Sequence, residues 1–249
     1  MTYFRHRNFD QYANPSDIIV WRYFKLSTLE SMLKYRTLRF NKITEWKDAR
    51  EGHVEPYTIE TLSKQLELIN CEQHIVDALN KFRDQAKHKV FGCCWCVNEH
   101  ENNLMWDTYG RSENKNVGVA VKTTLDKLYA SITDENNIYS GNIIYEKFPF
   151  TPKYGNIYID CVVKDIQYQD EREHRLFFIG DESDTVENIT YKDIKIDTSQ
   201  LLNEIYINPE SNDEDYKSVF DTIKESDSNL HFTLNRSSIL NKPRPYSTS

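Results

Sequence analysis

No apolar run in the sequence approaches the roughly 20 residues that a bilayer-spanning helix needs, and the polar start MTYFRHRNFDQY lacks the hydrophobic region of a signal peptide. A cytoplasmic protein without a membrane segment is expected. There is no basic block either: acidic and basic residues interleave at a formal net charge of -8, which argues against general nucleic-acid or anionic-membrane binding. The five cysteines, Cys71, Cys93, Cys94, Cys96 and Cys161, are an odd number with three in one short run, so they do not form a disulfide framework. Cys94 and Cys96 share a face, but no paired Cys or His spacing completes a zinc site, and no metal is expected. The chain also lacks a Walker loop, a GxGxxG, a GxSxG and an HExxH, and its seven His are scattered. Nucleotide hydrolysis, Rossmann redox chemistry and zinc hydrolysis therefore lack their usual signals.

What is present is enough apolar and aromatic material for a core: 39% hydrophobic and 13% aromatic residues, the latter mostly 16 Tyr and 12 Phe. Tyr buries area while keeping a polar tip available, so a polar average does not mean disorder. The length of 249 residues suits one α/β (α+β) domain, with a mixed central sheet, short crossover helices and one insertion. Its centrepiece is residues 91–110, FGCCWCVNEHENNLMWDTYG. These read as a buried strand over 91–97 that turns into a short helix bearing Leu104, Met105, Trp106 and Tyr109, with Gly110 at its end.

Before that centrepiece, residues 18–24 (IIVWRYF) form a β-prone run, and Ser27 with Glu30 make a capping-box pair ahead of Leu29, Met32 and Leu33. A second strand follows at 38–41. The charged loop 42–55 carries Trp46, Asp48 and Glu51, and residues 56–89 show two helical stripes that predict an inserted hairpin, a lid or an interaction surface. After the centrepiece come a strand at 118–121, a helix capped by Thr124, and alternating runs at 143–145 and 157–163. Residues 165–179, DIQYQDEREHRLFFI, put Glu171, Glu173, Arg175 and Phe177 on one face and start charged on both. That pattern predicts a strand running from a solvent-open rim into the core. The ending reads as strand, Ser211–Glu214 capped helix, strand, then Arg236-Ser237-Ser238 and a frayed tail over 241–249.

The runs WRYFKLSTLESMLKYRTLRFNK, EWKDAREG, CWCVNEHENNLMWDTYG, GVAVKTT, the Glu-Arg-Glu of 171–173 with Arg175, and IYINP with NRSSI resemble an uncharacterised bacterial domain family. Several of its members lie in phage-defence or abortive-infection neighbourhoods, and the match extends over most of the chain. The resemblance implies a single domain and gives weight to Asp48 and Glu51, which occupy that family's Asp-x-x-Glu loop. In the order of its elements the chain is also similar to ADP-ribosyltransferases. Those enzymes begin with a strand ending in Arg or His, continue through an aromatic or serine-bearing strand to a helix whose Tyr stacks on nicotinamide, and close with Glu, often within Glu-x-Glu. Here Cys-Trp-Cys stands where many have Ser-Thr-Ser.

That resemblance implies an NAD-dependent effector of toxin type. Glu173 stabilises the oxocarbenium-like cation that forms as the glycosidic bond of NAD breaks, and Glu171 activates the acceptor. Arg22, beside Trp21, pairs with the pyrophosphate, and Trp95, Trp106, Tyr109 and Arg175 frame the cofactor. The structural alternative for Glu173 is a rim ion pair with Arg172 or Arg175, worth about 0.5 kcal/mol. Two other functions stay open. One is a non-catalytic sensor or partner-binding module that uses the aromatic cluster as its patch. The other is a nuclease using Asp48, Glu51 and Glu173 as metal-binding carboxylates.

Overall fold

A computed structural model describes residues 14–46, 64, 68, 72–111, 117–147, 161–185 and 188–239. In chain order the elements are β1 (Ile19–Lys25), α1 (Leu26–Tyr35), β2 (Thr37–Lys42), α2 (Gln73–Lys87), β3 (Val90–Val97), α3 (Asn103–Tyr109), β4 (Gly118–Thr124) and α4 (Leu125–Ser131). They continue with β5 (Tyr139–Asn142), β6 (Ile144–Glu146), β7 (Val163–Asp165), β8 (Glu173–Ile179), β9 (Tyr191–Lys195), α5 (Thr198–Leu201), β10 (Glu204–Ile207), α6 (Asp213–Ser226) and β11 (Thr233–Arg236). The fold is mixed α/β with mostly antiparallel strand pairing. No helix among the described residues is long and apolar enough to cross a membrane. The chain divides into two compact units, one of Met1–Ala13, Leu38–Trp95 and Asp134–Ile194, the other of Asn14–Thr37, Cys96–Thr133 and Lys195–Ser249.

The first unit is built on β3 and β8. Asn41 and Lys42 of β2 pair antiparallel with Gly92 and Phe91 of β3, β8 also pairs with β3, and Tyr139–Asn142 pair with the stretch from Phe177 back to His174. β6 and β7 form a separate parallel pair. Phe91 stacks on Phe178 at 5.2 Å between ring centroids, and Phe40 lies 5.8 Å from the same ring. Ile43, Val90, Ile143, Cys161, Val162 and Phe177 form the adjoining core. Such aromatic pairs add to the area they remove from water.

The second unit runs in the order β11-β10-β4-β1, with the last residues of β3 beside β1. β1 and β4 pair antiparallel over seven residues, from Ile19 against Thr124 to Lys25 against Gly118. The expected strand–helix–strand ending is present, with β10 and β11 parallel and α6 as the crossover. A Cβ at Gly118 would lie 1.5 Å from the Gly110 carbonyl, so β4 can begin there only with glycine.

Helix starts differ from the sequence reading in instructive ways. Thr124 caps α4 as expected, accepting from the Lys127 N–H. α1 instead starts at Leu26 with Lys25 as N-cap and no side-chain cap bond, so the Ser27–Glu30 box does not form. The Leu26 N–H, one of the orphan donors of this earlier start, is satisfied by the Val117 carbonyl at 2.7 Å. In α6 the box is shifted by one residue: Asn212 accepts from the Asp215 N–H and Asp215 accepts from the Asn212 N–H, in place of Ser211 and Glu214. Of the 56–89 hairpin, the second helix is α2, while the first lies outside the described residues apart from positions 64 and 68. The alternation over 143–145 is broken between β5 and β6.

Candidate functional site

β8 is buried from Glu173 through Phe178, so the expected gradient from open rim to core is corrected. Glu173 is 5% exposed and Arg175 1%. Charges at such depth persist only when paired and hydrogen-bonded. Arg175 Nε donates to Glu173 Oε1 at 2.7 Å, and its Nη1 donates to the Cys161 carbonyl at 2.6 Å. Lys164, on β7, donates from Nζ to Glu171 Oε2 at 2.7 Å and to Glu173 Oε2 at 3.4 Å. Aromatic rings flank both cations: the Arg175 guanidinium is 4.2 Å from the Trp46 ring centroid, and Lys164 Nζ is 4.8 Å from that of Tyr168.

Two local features assemble this group. The 3-10 turn Ile166–Glu171 stops at Arg172, whose φ of 44° is left-handed. A residue with a side chain adopts that conformation at a cost of about 1 kcal/mol or more. The turn lets Glu171 reach the same ammonium as Glu173 before β8 begins. At Gly92 on β3, an added Cβ would lie 2.8 Å from the Trp46 ring, so glycine allows the indole to lie close against the strand.

Burial alone would raise the Glu173 carboxyl, but Arg175, Lys164 and a hydrogen bond from the Cys94 thiol together hold it well below the usual carboxylate range. It is a fixed anion and not a proton donor. His174 is desolvated to a pKa of about 3, so its ring is neutral near pH 7. Its Nδ1 lies 2.7 Å from Asn142 Oδ1, an acceptor, so Nδ1 carries the proton and donates. Tyr145 accepts the Glu173 backbone N–H at 2.8 Å, and burial pushes its phenol up.

Thus Glu171, Glu173 and Arg175 come together in the first unit. Trp95 belongs to the same unit but is 1% exposed within β3. Arg22, Trp21, Trp106 and Tyr109 belong to the second unit. There, Trp21 and Trp106 are buried with Tyr23, Cys96 and Ala120. The half-buried Arg22 guanidinium is 6.0 Å from the Phe24 ring centroid. Tyr109, at 40%, is the exposed ring of the predicted aromatic set. Asp48 and Glu51 lie outside the described residues. Among the described residues no group of three or more His, Cys, Asp or Glu is placed to hold a metal ion. Cys93, Cys94, Cys96 and Cys161 are not joined in disulfides.

Sequence reasoning missed Lys164, Tyr145 and the place of Trp46. A signal for Lys164 existed: a lysine directly after Cys161, Val162 and Val163 is a charge inside an apolar run, which requires a buried partner. In comparisons with protein-family models, curated proteins and solved structures, none matches the chain.

Proposed function

We propose that the chain is an NAD-cleaving effector of the ADP-ribosyltransferase type, acting in the cytoplasm in phage defence and modifying a protein target. What supports this most is the pair of Glu-x-Glu carboxylates gathered on one ammonium, with Glu173 kept ionised at depth. Breaking the nicotinamide–ribose bond develops positive charge on the ribose, and a fixed anion stabilises that charge without proton transfer. Oε1 of Glu173 is held at 2.7 Å by Arg175, whereas the Lys164 contact with Oε2 is longer, at 3.4 Å. Oε2 is therefore the atom for which a ribose hydroxyl competes, Lys164 staying with Glu171 as it does so. Glu171, at 15% side-chain exposure, is the better placed of the two to take the acceptor's proton.

The test is nicotinamide release from NAD by the purified protein, with Glu171→Gln as the control. Glu173→Gln is the poorer control because it strips a buried partner from two cations. Glu171→Gln is expected to lower turnover of the acceptor reaction by roughly 10². A wild-type protein that neither binds NAD nor releases nicotinamide overturns the proposal.

The pairing of Glu173 with both Arg175 and Lys164 favours a second reading, in which the network only holds the unit together and the protein acts by binding a partner. On that reading Glu171→Gln leaves partner capture unchanged and NAD is inert.

A further inference from the structure

Glu101 lies in the loop between β3 and α3, and its carboxylate receives four hydrogen bonds. Oε2 accepts from Trp106 Nε1 at 2.9 Å and from the Ser237 hydroxyl. Oε1 accepts from the Ser238 backbone N–H at 2.8 Å and from the Ser238 hydroxyl at 3.0 Å. An ionised carboxylate has about four acceptor positions, so these donors fill it. Three of them come from Ser237 and Ser238, the residues directly after the edge strand β11 and part of the Arg236-Ser237-Ser238 motif that the site above does not use. Ser237 Oγ also accepts the Ile239 N–H at 3.2 Å, and this turn directs Ile239 onto the cluster of Trp21, Tyr23, Cys96, Trp106 and Ala120.

We propose that residues 237–239 are a releasable strap, latched by the single carboxylate of Glu101 across one side of the Trp21–Tyr23–Trp106 cluster. The contrast with the strand before it carries the inference. β11 is fixed along its length by pairing with β10, by the Tyr216 hydroxyl donating to the Leu234 carbonyl, and by Arg236, which pairs with Asp213 and lies over the Tyr216 ring. The strap follows the end of that pairing, and Ser238 is exposed. Its polar attachments converge on one loop residue, so losing that residue frees the strap and leaves the strand in register. Segments held this way open locally without global unfolding.

The backbone amides of Ser238 and Ile239, which donate to Glu101 Oε1 and to Ser237 Oγ, belong to the strap itself, so their hydrogen exchange makes opening measurable. In the full chain, Glu101→Gln is expected to raise the exchange rate of the Ile239 amide, whose own acceptor it leaves in place, about tenfold while the amides of β11 keep theirs. The double variant Ser237→Ala with Ser238→Ala keeps the Trp106–Glu101 bond and removes the two hydroxyl donors. It is expected to speed exchange of the amide at position 238 while the melting temperature and the tryptophan emission of the folded protein stay at their wild-type values. Exchange unchanged in both variants overturns the proposal. So does an increase that only tracks a fall in global stability, since the segment would then be an ordinary part of the fold.

Discussion

In the first unit the buried polar residues include Lys42, Asp134, Lys164, Asp165, Glu173, Arg175 and Asp184, whereas in the second they are Thr123, Ser131, Thr198 and Asn208. Among the described residues, every buried charged side chain belongs to the first unit. The second fills its interior with Trp21, Tyr23 and Trp106 and meets their polar tips with loop groups: the Trp21 N–H donates to the Asn98 carbonyl, and the Tyr23 hydroxyl accepts the Asn102 N–H. The second unit shows that a sheet of this kind is completed without buried ions. Buried ion pairs are in any case roughly neutral for stability against well-packed apolar residues. The Lys164–Glu173–Arg175 pairs, next to Arg172 with its left-handed φ, are thus weak support for a stability role.

The largest break of this contrast is Arg175→Met. It leaves Glu173 with Lys164 and the Cys94 thiol, takes the guanidinium donor from the Cys161 carbonyl and removes the cation from the Trp46 face. A loss of about 3–5 kcal/mol in urea unfolding is expected, the usual cost of orphaning one member of a buried pair. A loss below about 1 kcal/mol would mean that water already reaches the network, as at exposed pairs.

Acid acts on the same unit more gradually. His174 has a folded pKa of about 3 against an ordinary value of 6.5, so between these values the unfolded chain binds more protons than the native one, and stability falls as pH falls. Glu173 has the same sign below its ordinary value of 4.5, because its folded pKa is also depressed. Each group contributes a slope of up to roughly 1.4 kcal/mol per pH unit in its window. Urea midpoints from pH 7.5 down to 4.5 should decline in the wild type and run flatter in His174→Gln. Equal slopes would remove His174 as the source.

Much of this fold was legible because its signals are local. The strands at 18–24, 91–97 and 172–179 and the helix after Thr124 follow from apolar runs and one cap, and the structure places them within a residue or two at most ends. The site was only half legible. Glu173 and Arg175 share a face of β8 by simple alternation, so their proximity follows from sequence, whereas Glu171 joins them through a 3-10 turn where alternation predicted strand. Lys164 meets them through the tertiary placement of β7, and Glu173 looked like a rim carboxylate because its burial is supplied by strands distant in sequence. The capping boxes failed for a related reason: at Leu26 a tertiary carbonyl serves the helix start, and at Ser211 the next residue, Asn212, is the equally competent cap that the chain uses.

In the second unit a polar deletion should cost less. Tyr23→Phe keeps the ring that meets Trp106 edge-on at 4.9 Å and removes only the acceptor of the Asn102 N–H. About 1 kcal/mol is expected, the ordinary net worth of a neutral hydrogen bond. A loss as large as that of Arg175→Met would erase the distinction between the units.

The smallest effect comes from a control inside the first unit, the pair Arg39–Asp193. Its chemistry matches that of Arg175–Glu173: Nε and Nη2 donate to the two carboxylate oxygens at 3.0 and 3.3 Å, and the guanidinium lies 3.7 Å from the Tyr191 ring centroid. The difference is solvent, since these side chains are 42% and 33% exposed. The carboxylate hydrogen bond raises the Arg39 pKa, but at this exposure water and salt screen the interaction. A double-mutant cycle with Arg39→Met and Asp193→Asn should give a coupling of about 0.5 kcal/mol that shrinks in 1 M salt. If it instead approaches the value for the buried pair and resists salt, guanidinium–carboxylate geometry and ring stacking carry the energy, and depth is not what sets the Glu173 network apart.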